Sequence, residues 1–207
     1  MGMTWLESFS RSIAMHAGEA VREDVLRGSE NLGSRPTPSR RARWVRGAMD
    51  RLEALVDEET VRQIMIDACP HTYPRKRIER MRRLYGQSGS IDELLEAMYG
   101  DTSYGGTSYY DSPRGEGDTV YINKVPCNPK SYEKAESELD RKLAYCHCPW
   151  VRAALRTCEA VPPSFCHCST SWDRQLWEGV LGRPVDVEVV KSLLKGDEHC
   201  IHAFRLP

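Results

Sequence analysis

Cysteine is the residue type that most restricts how this chain can fold. The chain has eight cysteines in 207 residues, and two Cys-His-Cys triplets stand at 146–148 and 166–168 with Cys158 between them. Acidic residues within the first 30 positions do not match the apolar core of a signal peptide, so we expect thiols in a reducing compartment rather than a disulfide framework. Repeated short thiol units of this kind predict a metal site.

The candidate metal ligands are five cysteines from the two triplets and the C-terminus: Cys146, Cys148, Cys166, Cys168 and Cys200. Zinc takes four tetrahedral ligands and prefers soft thiolates, so zinc is the predicted cofactor. An iron–sulfur cluster uses the same ligands and is the alternative. Because the candidates outnumber four positions, some thiols would be spare, and free thiols that are buried or redox-active are a further alternative.

The predicted fold class is α+β. Capping boxes at Thr4–Glu7 and Ser90–Glu93, with apolar residues at helical spacing, predict four or five helices before residue 100. Gly28 is predicted to end the first of these helices, and Asp57 is predicted to cap a later one. We expect a helical N-terminal part over residues 1–99, followed by a C-terminal antiparallel sheet with helices and a terminal hairpin over 118–207. The Gly/Ser/Tyr-rich segment 100–117 is predicted to be a loop, either disordered or a lid over a site.

Patterns in the C-terminal part predict its individual elements. Residues 118–125 alternate like a strand, 130–143 read as a charged helix, and 144–148 are predicted to be a short strand that delivers the first triplet. A helix that carries Trp172 is predicted to end at Gly182.

The sequence predicts a terminal hairpin in which a strand over 185–194 pairs with a strand over 199–204. A three-residue loop at 195–197 places Cys200 opposite Ser192, on the same face as Glu188, and this is the register we predict. A two-residue loop would instead pair Cys200 with Leu193 and turn it away from Glu188.

Four residues outside the triplets are candidates for chemistry or ligand contact. Glu188 stands among valines, where an ionised carboxylate must be paired, metal-bound or exposed, and we predict a catalytic role for it. Cys69, close to His71, is predicted to be a catalytic thiol. Trp172 and Tyr110 are predicted ligand contacts, although aromatic residues at helical spacing are also typical of a core.

The C-terminal part resembles a known superfamily of small-molecule-binding domains. The residues that carry the resemblance are Cys166, Trp172, Leu181-Gly182-Arg183-Pro184-Val185, Glu188, Gly196-Asp197, Cys200 and Phe204. In this order they are similar to 4-vinyl-reductase-type domains, and the chain ends in a way similar to the L-2-amino-thiazoline-4-carboxylate hydrolase family. The resemblance covers roughly residues 118–207.

The resemblance implies a zinc ion close to a ligand pocket. Carried over by position, the implied zinc ligands are Glu188, Cys200 and one of the two cysteines Cys166 and Cys168. The ligand-sensing members of that superfamily have a further cysteine where this chain has Lys191. A triplet thiolate, from Cys146 or Cys148, would have to take its place.

Three classes of function follow from these observations. In the enzyme class, which we favour, a thiolate-bound metal activates water to hydrolyse a small cyclic C=N or amide-like substrate. In the binding class, a structural zinc supports a sensor-like domain that only holds a small molecule. In the third class, a structural metal protein docks a partner through its basic helices.

Charge and hydropathy bear on the expected partners and location. We expect a cytoplasmic protein that does not enter the membrane, because no apolar run is long enough to span a bilayer. The basic run 75–83 has no interleaved aromatic residues, so nucleic acid is not an expected partner. A small-molecule ligand or substrate is expected, and a homodimer is a further expectation.

Overall fold

The chain packs into two compact units, each assembled from several separate segments. The structure, a computed structural model, describes residues 4–99 and 110–206. The first unit comprises residues 1–70, 126–169 and 193–196, and the second comprises 71–125, 170–192 and 197–207. The domain boundaries expected after residues 99 and 117 stay predictions, because compact packing does not by itself define a folding domain.

The described residues form ten α-helices, three short 3₁₀ helices and four strands. The helices are α1 (Trp5–Ala17), α2 (Glu19–Val25), α3 (Pro38–Leu55), α4 (Glu58–Asp67), α5 (Arg75–Ser88), α6 (Ile91–Tyr99), α7 (Pro129–Glu133), α8 (Glu138–Tyr145), α9 (Pro149–Thr157) and α10 (Thr170–Leu181). The strands are β1 (Tyr110–Glu116), β2 (Thr119–Lys124), β3 (Asp186–Lys191) and β4 (Ile201–Arg205). The 3₁₀ helices are Ser29–Asn31, Pro163–Ser169 and Leu193–Lys195.

Polar caps start the helices of the first unit where the sequence predicts them. Thr4 and Glu7 form the expected capping box, in which Thr4 N donates to Glu7 Oε2 at 2.7 Å and Glu7 N donates to Thr4 Oγ1 at 3.3 Å. Asp57 starts α4 by accepting a hydrogen bond from Thr60 N at 2.8 Å. Each such cap contributes about 1 kcal/mol. The apolar faces of these helices bury Phe9, Ile13, Val45, Met49, Leu52, Ile64 and Met65.

Two expected helices are each divided in the structure. The first N-terminal helix ends at Gly18 rather than at Gly28. The backbone of Gly18 has a φ of +86°, a value that glycine tolerates and other residues rarely adopt. The charged helix expected over 130–143 becomes α7 and α8. Ser137 separates them, since its hydroxyl caps α8 by accepting from Asp140 N at 3.0 Å.

The strand predicted over residues 144–148 is wrong. The helical hydrogen bonding of α8 continues through its C-cap, where Cys146 N donates to Lys142 O at 3.0 Å. Pro149 then opens α9, because its fixed φ suits the first turn of a helix. The first triplet is therefore a three-residue link between two helices, with Cys148 at the N-cap of the second.

A four-stranded antiparallel sheet in the order β1-β2-β4-β3 organises the second unit, together with α5, α6 and α10. The inner face buries Val120, Ile122, Val187, Val189 and Phe204, and α10 contributes Trp177 to the same core. A helical N-terminal part followed by an antiparallel sheet with helices and a terminal hairpin is the α+β class that the sequence predicts. The fold-class prediction is confirmed.

Part of the segment predicted as a loop is a strand. Residues 100–109 lie outside the described residues, but 110–116 form β1, paired with β2 across a turn at Gly117. The pairing shifts register between Asp111 and Arg114, where Pro113 falls. An edge strand tolerates proline at such an irregularity, because the missing N–H is not needed by a neighbouring strand.

The terminal hairpin is present, but the predicted register is wrong. Glu188 pairs with Ala203 and Val189 with His202, and a shift then pairs Lys191 with Ile201. The connection runs from 192 to 200 and contains the 3₁₀ helix Leu193–Lys195, so it is longer than a tight turn. Ser192 N and Asp197 Oδ2 close it with a hydrogen bond of 2.9 Å. Cys200 precedes β4 and does not pair with Ser192.

The basic run 75–83 lies in α5, and some of its arginines are used inside the second unit. Arg77 is buried, with its guanidinium 5.5 Å from the centre of the Tyr73 ring, and Arg82 Nε donates to Gly179 O at 2.7 Å. These contacts attach α5 to its neighbours. None of the described helices, α5 included, has the length and apolar composition needed to cross a membrane.

Candidate thiol site

Three cysteines from three distant segments meet in the first unit. Cys69 follows the C-cap of α4, Cys148 is the N-cap of α9, and Cys168 lies in the 3₁₀ helix Pro163–Ser169. The 3₁₀ helix packs against α4, which brings Cys168 to the end of α4 where the chain leaves toward Cys69. We call these three side chains the thiol cluster.

The members of the thiol cluster interact strongly enough to change one another's protonation. A hydrogen bond with the Cys69 thiol, together with burial, raises the pKa of Cys168 well above its usual range, and the charges that Cys69 and Cys148 would carry raise it further. The indole of Trp5 acts in the opposite direction. All three thiols therefore resist simultaneous ionisation, as expected for like charges in a low-dielectric place.

Opposing influences act on the pKa of the Cys148 thiol. Burial is the largest and raises this pKa, and the neighbouring Cys69 adds to that effect. The backbone N–H groups of Val151 and Trp150, at the start of α9, lower the pKa, as does the positive charge of Arg152. Exposed N–H groups at a helix N-terminus favour a thiolate, so the position of Cys148 at an N-cap partly compensates for its burial.

A group of packed aromatic rings in the first unit reaches the thiol cluster through Trp5, which interacts with Cys168. The Trp5 ring stacks on Phe9 with 4.8 Å between ring centres, and it lies 4.7 Å from Trp150 and 5.3 Å from Phe165. Phe9 and Phe165 are fully or almost fully buried. Because Trp5 interacts with Cys168, this group of rings contributes to the burial of that thiol.

The remaining predicted metal ligands occupy other positions. Cys146 is buried, with its Sγ 3.7 Å from the carbonyl oxygen of Cys148, and Cys166 O accepts a hydrogen bond from Ser169 Oγ at 2.7 Å. Cys200 belongs to the second unit, where its carbonyl accepts from Lys124 N at 3.0 Å. The predicted catalytic residue Glu188 also belongs to the second unit and lies on the exposed face of β3.

The two predicted ligand-contacting aromatics fall in the second unit. Trp172 packs against Tyr73 with 4.8 Å between ring centres and meets His71 edge-on at 6.4 Å. Tyr110 begins β1, and its side chain lies outside what the structure describes. The roles assigned to these residues stay predictions.

Soft thiolate donors suit zinc, but the thiol cluster is not arranged as a metal shell. Among residues 4–99 and 110–206, no three or more His, Cys, Asp or Glu side chains form a group able to hold a metal ion. Interaction with Cys69 instead raises the pKa of Cys168. Zinc and the iron–sulfur cluster therefore remain predictions from the sequence.

A second group of titratable side chains lies inside the second unit. His202 and Asp173 are both fully buried, and His202 Nδ1 donates to Asp173 Oδ2 at 3.0 Å. Lys124 Nζ stands 3.8 Å from the same oxygen, with 9% of its side chain exposed. Burial lowers the pKa of His202, and the positive charge of Lys124 acts in the same direction, while Asp173 opposes both.

The sequence interpretation missed this buried group, although one signal was available. His202 alternates with Phe204 along β4, so it shares the inward face of the strand. A histidine on an inward face requires a polar partner. The identity of that partner could not be predicted, because Asp173 comes from α10, an element far from β4 in the chain.

The comparisons with known proteins extend the structural description only a little. A family model matches residues 124–205, and that family is described as one of unknown function (DUF6144). The match is less than half of the chain and includes Lys124, Asp173, His202 and both cysteine triplets, but not Cys69. No curated protein and no solved structure matches the chain. The resemblance to 4-vinyl-reductase-type and thiazoline hydrolase proteins stays a prediction.

Proposed function

We propose that this protein performs thiol–disulfide exchange, with Cys69 and Cys168 as the reactive pair. The observation that supports the proposal is the closeness of the two thiols: interaction with Cys69 is the largest influence that raises the pKa of Cys168. Neighbouring thiols can be joined in a disulfide where their Cα and Cβ atoms lie within bridging distance and an oxidant accepts two electrons. The third thiol, Cys148, lies within electrostatic range of both and is available for exchange with the pair.

The reaction requires a disulfide as the electron acceptor, and a low-molecular-weight disulfide of the glutathione type meets that need. One cysteine thiolate attacks it, forms a mixed disulfide and releases one small thiol. The thiolate of the second cysteine then attacks the protein sulfur of the mixed disulfide, which forms the Cys69–Cys168 bond and releases a second small thiol. The protein loses two electrons and two protons, and the two released thiols gain them.

The protonation of the cluster determines how fast this exchange can be. Raised pKa values at Cys148 and Cys168 keep both thiols protonated near neutral pH, so only a small thiolate fraction can attack. Exchange is therefore slow at neutral pH and accelerates as the pH rises. Such a pair suits a slow redox sensor better than a rapid disulfide catalyst.

The eight cysteines carry thiols rather than disulfides, which supports a reducing location. We propose the cytoplasm, where disulfides in most organisms are transient and serve catalysis or redox sensing.

The test is a redox titration of the full chain. The protein is equilibrated in glutathione buffers of graded reduced-to-oxidised ratio, its free thiols are trapped with a maleimide, and intact mass gives the thiols left per chain. We expect two thiols to disappear together in the wild type. Cys69→Ser and Cys168→Ser should each abolish this loss.

Cys127 provides the matched control, because it is an exposed cysteine of the same unit. Cys127→Ser should retain the paired loss of thiols at the same glutathione ratio. A paired loss that survives in both Cys69→Ser and Cys168→Ser would contradict the proposal, as would a wild type that stays fully reduced in excess oxidised glutathione.

A second candidate is a soft-metal site to which the same three thiols would have to draw closer, since they do not form a metal-holding group in the described structure. The presence of Cys148 favours it, because a cation would reverse the mutual repulsion that now raises the pKa of Cys168. In a zinc titration, a three-thiol site should lose binding in Cys148→Ser as well as in Cys69→Ser, with proton release in the wild type. Formation of the Cys69–Cys168 disulfide does not require Cys148, so the two candidates are distinguishable.

Hydrolysis of a small cyclic C=N or amide-like substrate, a sensor-like role and a homodimer remain predictions from the sequence.

A further inference from the structure

A small pocket opens in the first unit where α3 and α9 pack together. Its volume is about 220 Å³, and its lining residues are Pro38, Arg41, Pro149, Arg152, Ala153 and Arg156. Pockets that hold drug-sized ligands are roughly 300–1,000 Å³. This pocket can therefore take only a small ligand, or one end of a larger one.

Positive charge dominates the pocket. Three of its six lining residues are arginines and none is acidic. In the part of the chain that the structure describes, none of these three guanidinium groups forms an ion pair. Arg46, on the same helix as Arg41, is different: it lies 3.7 Å from Asp50 and 3.4 Å from Glu159. The pocket therefore carries positive charge that no carboxylate of the described residues balances by an ion pair.

An aromatic ring contacts the guanidinium group of Arg41. That group lies 5.4 Å from the centre of the Trp150 ring. The Arg41 Nε atom is buried and has no hydrogen-bond partner among the described residues. A guanidinium over an aromatic face is held by that contact, and the N–H donors at its terminal nitrogens lie in the guanidinium plane, where they can meet an acceptor. A buried donor without an acceptor is uncommon in folded proteins and calls for an explanation.

We propose that this pocket binds a small multivalent oxyanion of the phosphate class. Planar guanidinium groups match the oxygen geometry of phosphoryl groups, and three of them around a cavity of this size suit a dianion better than a monovalent carboxylate. The bound oxygens would supply acceptors for the donors of Arg41, Arg152 and Arg156. The proposal does not rest on the thiol pair described above.

The pocket also adjoins the thiol cluster through one residue. Arg152 lines the pocket, and its positive charge acts on Cys148. An anion bound to Arg152 would offset that charge and so reduce the thiolate fraction of Cys148. Anion binding is therefore expected to slow the alkylation of Cys148, which gives the proposal a second readout.

The test is calorimetric titration of the full reduced chain with inorganic phosphate at constant ionic strength, followed by thermal melting in the same buffers. We expect saturable binding and a rise in Tm, with sodium acetate at matched ionic strength giving neither. Arg152→Gln and Arg156→Gln should each weaken phosphate binding by about tenfold or more, as expected when a charge-assisted hydrogen bond is lost. Glycerol 3-phosphate, titrated in parallel, distinguishes the free ion from an esterified phosphoryl group as the better ligand.

Arg43→Gln is the matched control, because Arg43 is an exposed arginine of α3 that does not line the pocket. It should bind phosphate as the wild type does. If Arg152→Gln fails to fold, Arg156→Gln decides, since Arg156 is exposed and its loss leaves the core intact. Absence of saturable phosphate binding at millimolar concentration, or equal binding in Arg43→Gln and Arg156→Gln, would overturn the proposal.

Discussion

His202 donates a hydrogen bond from Nδ1 to Asp173 Oδ2 at 3.0 Å, and both side chains are fully excluded from solvent. The bond joins β4 to α10 inside the second unit. Lys124, at the end of β2, adds its positive charge 3.8 Å from the same carboxylate oxygen. Three elements of the unit therefore meet at a single buried carboxylate, and the stability of the unit depends on it.

Removing that carboxylate should destabilise the protein substantially. Asp173→Asn keeps the shape of the side chain but removes the negative charge that faces Lys124 and gives His202 a weaker, neutral acceptor, and breaking a buried pair in this way costs about 3 kcal/mol. Urea unfolding measures the change. Glu188→Gln, on the exposed face of β3, is the control and should change stability by less than about 0.5 kcal/mol. Equal effects of the two substitutions would contradict the importance of the buried pair.

The same histidine should make stability depend on pH. Burial lowers the pKa of His202 below its ordinary value of 6.5, so the unfolded chain binds a proton at a pH where the folded chain does not. Stability is therefore complete above pH 6.5 and falls as the pH drops below it. Urea midpoints measured between pH 5 and 8 should show this slope in the wild type and a smaller slope in His202→Gln. A wild-type midpoint that does not fall between pH 6.5 and 5 would count against it.

Close packing between α5 and α10 should make Gly179 intolerant of a side chain. A Cβ atom at Gly179 would lie 2.5 Å from Ile78 Cγ2, so Gly179→Ala forces a shift that costs about 1–3 kcal/mol. Ile78→Ala in the same chain removes the clashing atom and should recover part of the loss. Gly86→Ala is the control, because nothing lies within 4 Å of its Cβ position in α5. Thermal melting should rank Gly179→Ala below Gly86→Ala, and the reverse order would contradict the packing.

Local chemistry made much of the fold predictable from the sequence. The capping box at Thr4, the cap at Asp57 and the helix end at Gly182 depend on residues within a few positions of one another. The prediction of a strand over 144–148 was wrong because these residues suit a helix end as well as a strand, and Pro149 begins the next helix directly after them. The hairpin register failed because a 3₁₀ helix and a shift near Val189 lengthened the connection.

For the candidate sites, the sequence indicated some of the individual residues but not which of them lie close together. Sequence reasoning selected Cys69, Cys148 and Cys168 individually, but it assigned Cys69 to a different role from the other two. Their meeting depends on how α4 packs against the 3₁₀ helix that carries Cys168, which no local pattern encodes. For the same reason the arginine pocket was missed, since Arg41 and Arg152 lie on helices far apart in the chain.

The most direct test of the thiol-exchange account is a map of the disulfide that forms on oxidation. Trypsin places Cys69 in peptide 63–75 and Cys168 in peptide 157–174, which also contains Cys158 and Cys166. After oxidation by glutathione disulfide and alkylation of the remaining thiols, mass spectrometry should find these two peptides linked, with fragmentation assigning the bond to Cys69 and Cys168. A linkage that excludes Cys69, or only alkylated peptides, would contradict the account.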